Sequence, residues 1–235
     1  MSELLDAIEN GDLEQLSQIV EKDPACANTA DEHDRLPLHY AAVYGHVHLV
    51  RYLIQHGADA NARDGEGLQA IHKACQFGNF EVVKALLDHG VEVESLATDA
   101  AWTPLYYAAG SGDLDVIRLL ISKGADVNHE DVEEGIPLHN AVRYSRLAAA
   151  KLLIKHGSNV NAEDGYTTVL CYAVESFNFN MVELIVKSGA NVNRRDFDGE
   201  SPLGMAERYE YDQIIDYLIE HGAKDDVSDD EEDES

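Results

Sequence analysis

The chain has 235 residues, 45% of them hydrophobic, with 17 Lys and Arg against 45 Asp and Glu and a formal net charge of −28. That length holds one large domain or two small ones, and so acidic a surface repels nucleic acid phosphates and anionic lipid while steering basic partners inward. No stretch approaches the ~18 apolar residues that would suggest a membrane span.

The N-terminal "MSELLDAIENGDLEQL" carries carboxylates where a secretory leader has a basic region, so no leader is expected. Its continuation, "AIENGDLEQLSQIVEKD", keeps the Ala, Gly and Leu spacing of the later segments and reads as a cap over 1–30. From 31 to 63 runs "LPLHYAAVYGHVHLVRYLIQHGADAN" with its flanks. Pro37 suits a first helical position, where its missing N–H costs nothing. Ala41 and Ala42 allow close helix packing, and Gly45 ends the first helix. A second helix follows, with Leu49, Val50, Leu53 and Ile54 at helical spacing. Gly57 ends it in the manner of a left-handed cap, and polar turn residues come next.

The same plan returns over 64–97, 98–130, 131–162, 163–195 and 196–224. "LPLH" at Leu36–His39 recurs as "QAIH", "TPLY", "IPLH", "TVLC" and "SPLG", at offsets of 33, 34, 33, 32 and 33. A second marker follows in register: "HGADAN", "HGVEVE", "KGADVN", "HGSNVN", "SGANVN" and a truncated "HGAK". Thr103, Thr168 and Ser201 can cap their helices with a hydroxyl, whereas Leu36, Gln69 and Ile136 cannot, at a cost of about 1 kcal/mol each. Ser145, Phe177 and Glu210 stand where other copies have Gly, so distorted inter-helix turns are expected there. An extra residue in "SLATDAAW" accounts for the offset of 34, and the loop before Thr168 is one residue short.

With about 33 residues per copy and a T-P-L-H start, the sequence resembles the ankyrin repeat family over roughly residues 3–224. The resemblance implies an all-α solenoid of stacked helix–turn–helix repeats joined by hairpin loops, because one repeat alone cannot bury its apolar faces. "DDVSDDEEDES" (Asp225–Ser235) holds eight carboxylates, is too poor in apolar residues to fold alone, and includes Ser228 in an acidic setting like that of a kinase site. Without it the net charge is still −20, so the repeats are acidic in their own right.

The histidines invite a search for chemistry. His39, His72 and His139 share one repeat position and are therefore spaced along the stack, where they cannot converge on a metal. The family resemblance implies that they brace neighbouring repeats. His56, His89, His156 and His221 precede the glycine ending the second helix, a favourable place for a partial positive charge. His46 and His48 read as exposed. Cys26, Cys75 and Cys171 are far apart, without a C-x-x-C pair, which argues against disulfides and zinc and for a reducing compartment, cytoplasm or nucleus. No hydrolase, zinc-protease, P-loop or dinucleotide motif is present, so neither catalysis nor a cofactor is expected.

Positions that vary between copies are more informative. The residue before the inter-helix Gly position is aromatic in four of six copies: Tyr44, Phe77, Tyr144 and Tyr209. Arg143 lies beside Tyr144, and Trp102 just before a T-P-L start. Hairpin positions supply Glu66, Asp99, Glu133, Tyr166 and Phe197. In ankyrin proteins such positions line a concave groove, and exposed Trp and Tyr are common binding hot spots. An aromatic stripe in an acidic frame suits a Lys- or Arg-rich protein segment, by charge pairing and cation–π contact. The nearest functional analogy is with acidic ankyrin proteins that hold histone tails or basic ribosomal proteins. The alternatives are a regulator masking a folded kinase, transcription factor or proteasome subunit, and a pathogen effector. The chain is expected to act as a monomer and to bind neither nucleic acid nor membrane.

Overall fold

A computed structural model describes residues 2–224; the expected acidic tail and Ser228 lie outside the described residues. The helices are α1 (Ser2–Glu9), α2 (Leu13–Lys22), α3 (Pro37–Tyr44), α4 (Val47–Gln55), α5 (Ala70–Gln76), α6 (Phe80–Asp88), α7 (Pro104–Ser111) and α8 (Leu114–Ser122). They continue as α9 (Pro137–Arg143), α10 (Leu147–Lys155), α11 (Val169–Glu175), α12 (Phe179–Lys187), α13 (Pro202–Arg208) and α14 (Asp212–Glu220), with one 3-10 turn at Pro24–Asn28. The fold is an all-α solenoid of helix–turn–helix repeats.

The chain divides after Asp126 into two compact units. In the first, α3 packs between α1 and α5, and α5 against α7; behind them α4 packs between α2 and α6, and α6 against α8. In the second, α11 packs between α9 and α13, and α12 between α10 and α14. The sequence dictates this layering. Leu38, Ala41 and Ala42 on α3, and Leu49, Val50 and Leu53 on α4, are all buried. Each fully buried Leu contributes about 2 kcal/mol of transfer free energy, and the small alanines let the first helices approach closely.

Helix starts follow the capping expectation. The hydroxyls of Thr103, Thr168 and Ser201 accept from the amides of Tyr106 (3.3 Å), Cys171 (3.1 Å) and Gly204 (3.0 Å). Leu36, Gln69 and Ile136 give no side-chain cap. There the amide of the capping residue donates instead to Nδ1 of His39 (3.0 Å), His72 (3.2 Å) or His139 (3.0 Å).

The inter-helix turns correct one expectation. Ser145, Phe177 and Glu210 take φ of 55°, 55° and 59°, close to the 75°, 69° and 83° of Gly45, Gly78 and Gly112. The left-handed turn is kept, and at Ser145 and Glu210 it is closed by the same bond: Arg146 N–H to Ala141 O (2.7 Å) and Tyr211 N–H to Ala206 O (3.0 Å) parallel His46 N–H to Ala41 O (3.1 Å). Strain in the residue replaces distortion of the turn, because the packed helices on either side fix the chain's path.

Loop lengths behave as their spacing suggests. Asp31, Asp131 and Asp196 each donate their amide to the carbonyl four residues on, as in Asp31 N–H to Arg35 O (3.0 Å); at Asp164 the closure is to Thr167, one residue sooner (3.2 Å). In the third full repeat Thr98 and Ala101 are both left-handed, at φ of 58° and 61°, beside a bridge between Ala97 and Trp102.

Candidate functional site

The conspicuous histidines are scaffold. With Nδ1 accepting the capping amide, Nε2 of each brace carries the proton and donates to a carbonyl of the loop that follows the second helix: His39 to Leu68 O (3.0 Å), His72 to Ser95 O (2.8 Å) and His139 to Ala162 O (3.3 Å). Burial pushes His39 and His139 below the usual imidazole range and His72 down to about 4. His56 and His221 bond the carbonyls of Tyr52 and Tyr217 within the last helical turn. His46 and His48, expected to be simply exposed, reach back to the cap and contact Glu9 O (3.2 Å) and Gly11 O (2.9 Å).

A second buried device was not anticipated from the motifs. Asp31, Asp64, Asp131 and Asp164 each turn one carboxylate oxygen toward two backbone amides of their own hairpin. The other oxygen reaches the first helix: Tyr40 donates to Asp31 (2.5 Å), Tyr172 to Asp164 (2.6 Å), and Lys73 pairs with Asp64 (3.1 Å). The signal was available, since these Asp residues recur at the repeat period. Thr98 takes the position in the anomalous third full repeat and accepts from the amide of Ala100.

On this base the candidate residues divide. Tyr44, Phe77, Tyr144 and Tyr209 close their first helices and are exposed, Phe77 to 56%. Trp102 is half-buried, its indole stacked on Tyr106 (5.3 Å between centroids, 2° between planes) with the edge of Tyr107 at 6.1 Å. Arg143 is engaged within the second unit: it donates to the Tyr172 hydroxyl, and its guanidinium lies 4.9 Å from that ring's centre. Glu66 binds Lys73 Nζ (2.7 Å) beside Asp64, and Asp99 is exposed.

The structure brings three candidates together. Tyr166 and Phe197 sit at successive hairpin tips, joined by Phe197 N–H to Tyr166 O (2.9 Å). The Tyr166 hydroxyl donates to Glu133 (3.1 Å), and that carboxylate pushes the phenol up. Tyr166 is 59% and Phe197 83% exposed. Between them lies a cleft of about 340 Å³, lined also by Glu163, Thr167, Arg195 and Asp196. Arg194 pairs with Glu163 at its edge. Around the hairpins of the first unit a cleft of about 420 Å³ is lined by Glu32, Asp34, Asp64 and Glu66 with Arg35. The first cleft joins two aromatic rings to carboxylates, and the second is mainly carboxylate. No group of His, Cys, Asp and Glu able to hold a metal occurs among the described residues.

A family model described as "Ankyrin repeats (3 copies)" matches residues 4–97, 93–164 and 138–229. The chain belongs to the ankyrin repeat family. It is similar to the putative ankyrin repeat protein FPV219 of fowlpox virus, 33% identical over 253 residues, which cover 94% of this chain and 58% of that one. It is also similar to human ankyrin repeat and SOCS box protein 11, 28% identical over 104 residues, covering 44% of this chain and 32% of that one. The chain thus spans less than two thirds of either relative. The crystal structure of the human ASB11 ankyrin repeat domain superposes with a TM-score of 0.85 at 25% identity, over 96% of this chain and all of that one. Ankyrin repeats are protein–protein interaction scaffolds and generally carry no catalysis. No helix among the described residues is long and apolar enough to cross a membrane.

Proposed function

We propose that this ankyrin repeat protein holds a Lys- or Arg-rich segment of another protein against its exposed rings and hairpin carboxylates, acting as a monomer in a reducing compartment of the cell. The observation that carries the reading is the pair Tyr166 and Phe197: two large exposed rings at adjacent hairpin tips, with Glu133 bonded to the phenol. An exposed ring beside a carboxylate offers a cation both a face and a counter-charge. The surplus of 45 acidic over 17 basic side chains supports the same partner by long-range steering.

The test is fluorescence anisotropy with a Lys/Arg-rich peptide and its Gln-substituted counterpart. The basic peptide is expected to bind and the neutral one not. Affinity is expected to fall steeply as salt rises past about 0.1 M, where the screening length shrinks to about 10 Å. Ala at Tyr166 or Phe197 is expected to cost about 1–4 kcal/mol of binding. Salt-resistant capture of a folded protein with no affinity for the basic peptide would replace this reading by surface masking.

A further inference from the structure

The turn between α11 and α12 holds a residue that the fold does not ask for. Phe177 occupies the left-handed position that Gly78 and Gly112 fill elsewhere, at φ 55°, a conformation costly for a bulky side chain. Its ring is not hidden in return: it is 63% exposed. It packs edge-on to Tyr211 (4.2 Å between centroids) and lies 5.7 Å from Tyr209, and the two tyrosines stack on each other at 5.5 Å. Three rings from the inter-helix turns of the last two repeats therefore form one continuous surface within the second unit.

The sequence around those rings is predominantly acidic. Glu175, Glu207, Glu210 and Asp212 are exposed beside it. Arg208, beside Tyr209, is held by both carboxylate oxygens of Glu200 (2.7 and 2.8 Å). Its guanidinium lies 4.3 Å from the centre of the Tyr209 ring, an internal example of the contact these rings favour. A lone Phe in a strained turn would gain little from solvent, and an apolar surface rimmed by carboxylates discriminates for a partner that is apolar and cationic at once.

We propose that Phe177, Tyr209 and Tyr211 form a docking surface for a protein segment that pairs an apolar anchor with Lys or Arg, the anchor seated on the Phe177 ring and the cation among Glu175, Glu207 and Glu210. This rests on the basic-segment reading above and adds a second, apolar requirement at a place apart from the hairpins. It also reverses the meaning of Phe177, which the sequence presents only as a poor substitute for glycine.

Phe177→Gly tests it cleanly, because glycine suits the left-handed backbone and removes the ring without removing the turn. The probes are three dye-labelled peptides of equal length, alternating Lys–Leu, Lys–Gly and Gln–Leu, titrated against the full chain at low salt. Thermal unfolding of the variant confirms folding. The wild type is expected to bind Lys–Leu about tenfold tighter than Lys–Gly, the ~1.4 kcal/mol of one well-placed anchor, and Phe177→Gly to erase that difference while Lys–Gly affinity stays. Equal Lys–Leu binding by the variant overturns the docking surface and leaves the basic-segment reading standing, whereas equal binding of Gln–Leu and Lys–Leu by the wild type overturns both. Binding of neither Lys peptide removes both. A dimer that Phe177→Gly dissolves, with peptide affinity unchanged, assigns the rings to a second copy of this chain and likewise overturns the proposal.

Discussion

His39, His72 and His139 each use both ring nitrogens inside the stack, one accepting a capping amide and one donating to a carbonyl of the loop that follows the second helix. A second proton would face the amide N–H already pointing at Nδ1, so charging the ring breaks the cap. Burial depresses His72 to about 4, against about 6.5 for an unfolded imidazole. Between those values the unfolded chain binds more protons than the folded one, so the brace contributes fully above about pH 6.5 and loses stability as the pH falls toward 4. Each tenfold change in proton affinity is worth about 1.4 kcal/mol, which makes the loss traceable to His72 on the order of 3 kcal/mol. Denaturant midpoints measured across this range are expected to fall with acid. His72→Gln is expected to cost about 1–3 kcal/mol at neutral pH, by leaving the Gln69 amide without its acceptor, and to flatten the acid slope. A slope that His72→Gln does not change would assign the titration elsewhere. Ser145 and Glu210 give the converse case. Each sits in the left-handed region, where a Cβ costs about 1–2 kcal/mol. Glycine at either position, discounted for its looser unfolded chain, is expected to raise stability by about 0.5–1 kcal/mol in the same assay.

Between elements, the hairpins are joined by asparagine. Asn161 donates from Nδ2 to Gly189 O (3.1 Å) and accepts from the Asn191 amide (2.7 Å), so one side chain ties the end of α10's repeat to the end of α12. Asn128 and Asn193 make the same two bonds to the repeats that follow them. Asn161→Ala is expected to cost about 1–3 kcal/mol through two lost bonds and an amide left without its partner, read as a lower thermal midpoint; an unchanged midpoint would mean water replaces the side chain without loss. Two markers recurring at a period near 33 made the repeats, their caps and the Asn positions legible in the sequence, because each reports a backbone requirement that returns with every copy. The inter-repeat contacts were less so. His46 and His48 find carbonyls some 37 residues back, a pairing set by the stacking of α3 and α4 on the cap and written in no local pattern. Tyr166, Phe197 and Glu133 were picked out one by one from hairpin positions, but their convergence depends on hairpin geometry. Trp102 lies apart from that convergence, its indole half-covered by Tyr106 and Tyr107, a stacking that the position before a T-P-L start does not specify.

For the molecule as a whole, salt acts on folding and on binding with opposite signs. A chain with net charge −28 repels itself when compact, and the described ion pairs, such as Arg118 with Asp115 and Lys187 with Glu183, are mostly exposed and contribute little. Raising the salt from about 0.01 M to about 0.15 M shortens the screening length from about 30 Å to about 8 Å. Distant carboxylates then cease to oppose folding, while contact pairs lose less than the repulsion relieved. Stability is expected to rise by about 1 kcal/mol, or about 2–4 °C in the thermal midpoint for a domain of this size. The same screening weakens capture of a Lys- or Arg-rich segment, since that attraction draws on the charges whose mutual repulsion salt has relieved. Parallel titrations of thermal midpoint and peptide affinity against NaCl should therefore diverge, the first climbing as the second drops. If both rose together, binding would be driven by apolar contact rather than by the acidic surface; if the midpoint fell, the ion pairs would outweigh the net charge.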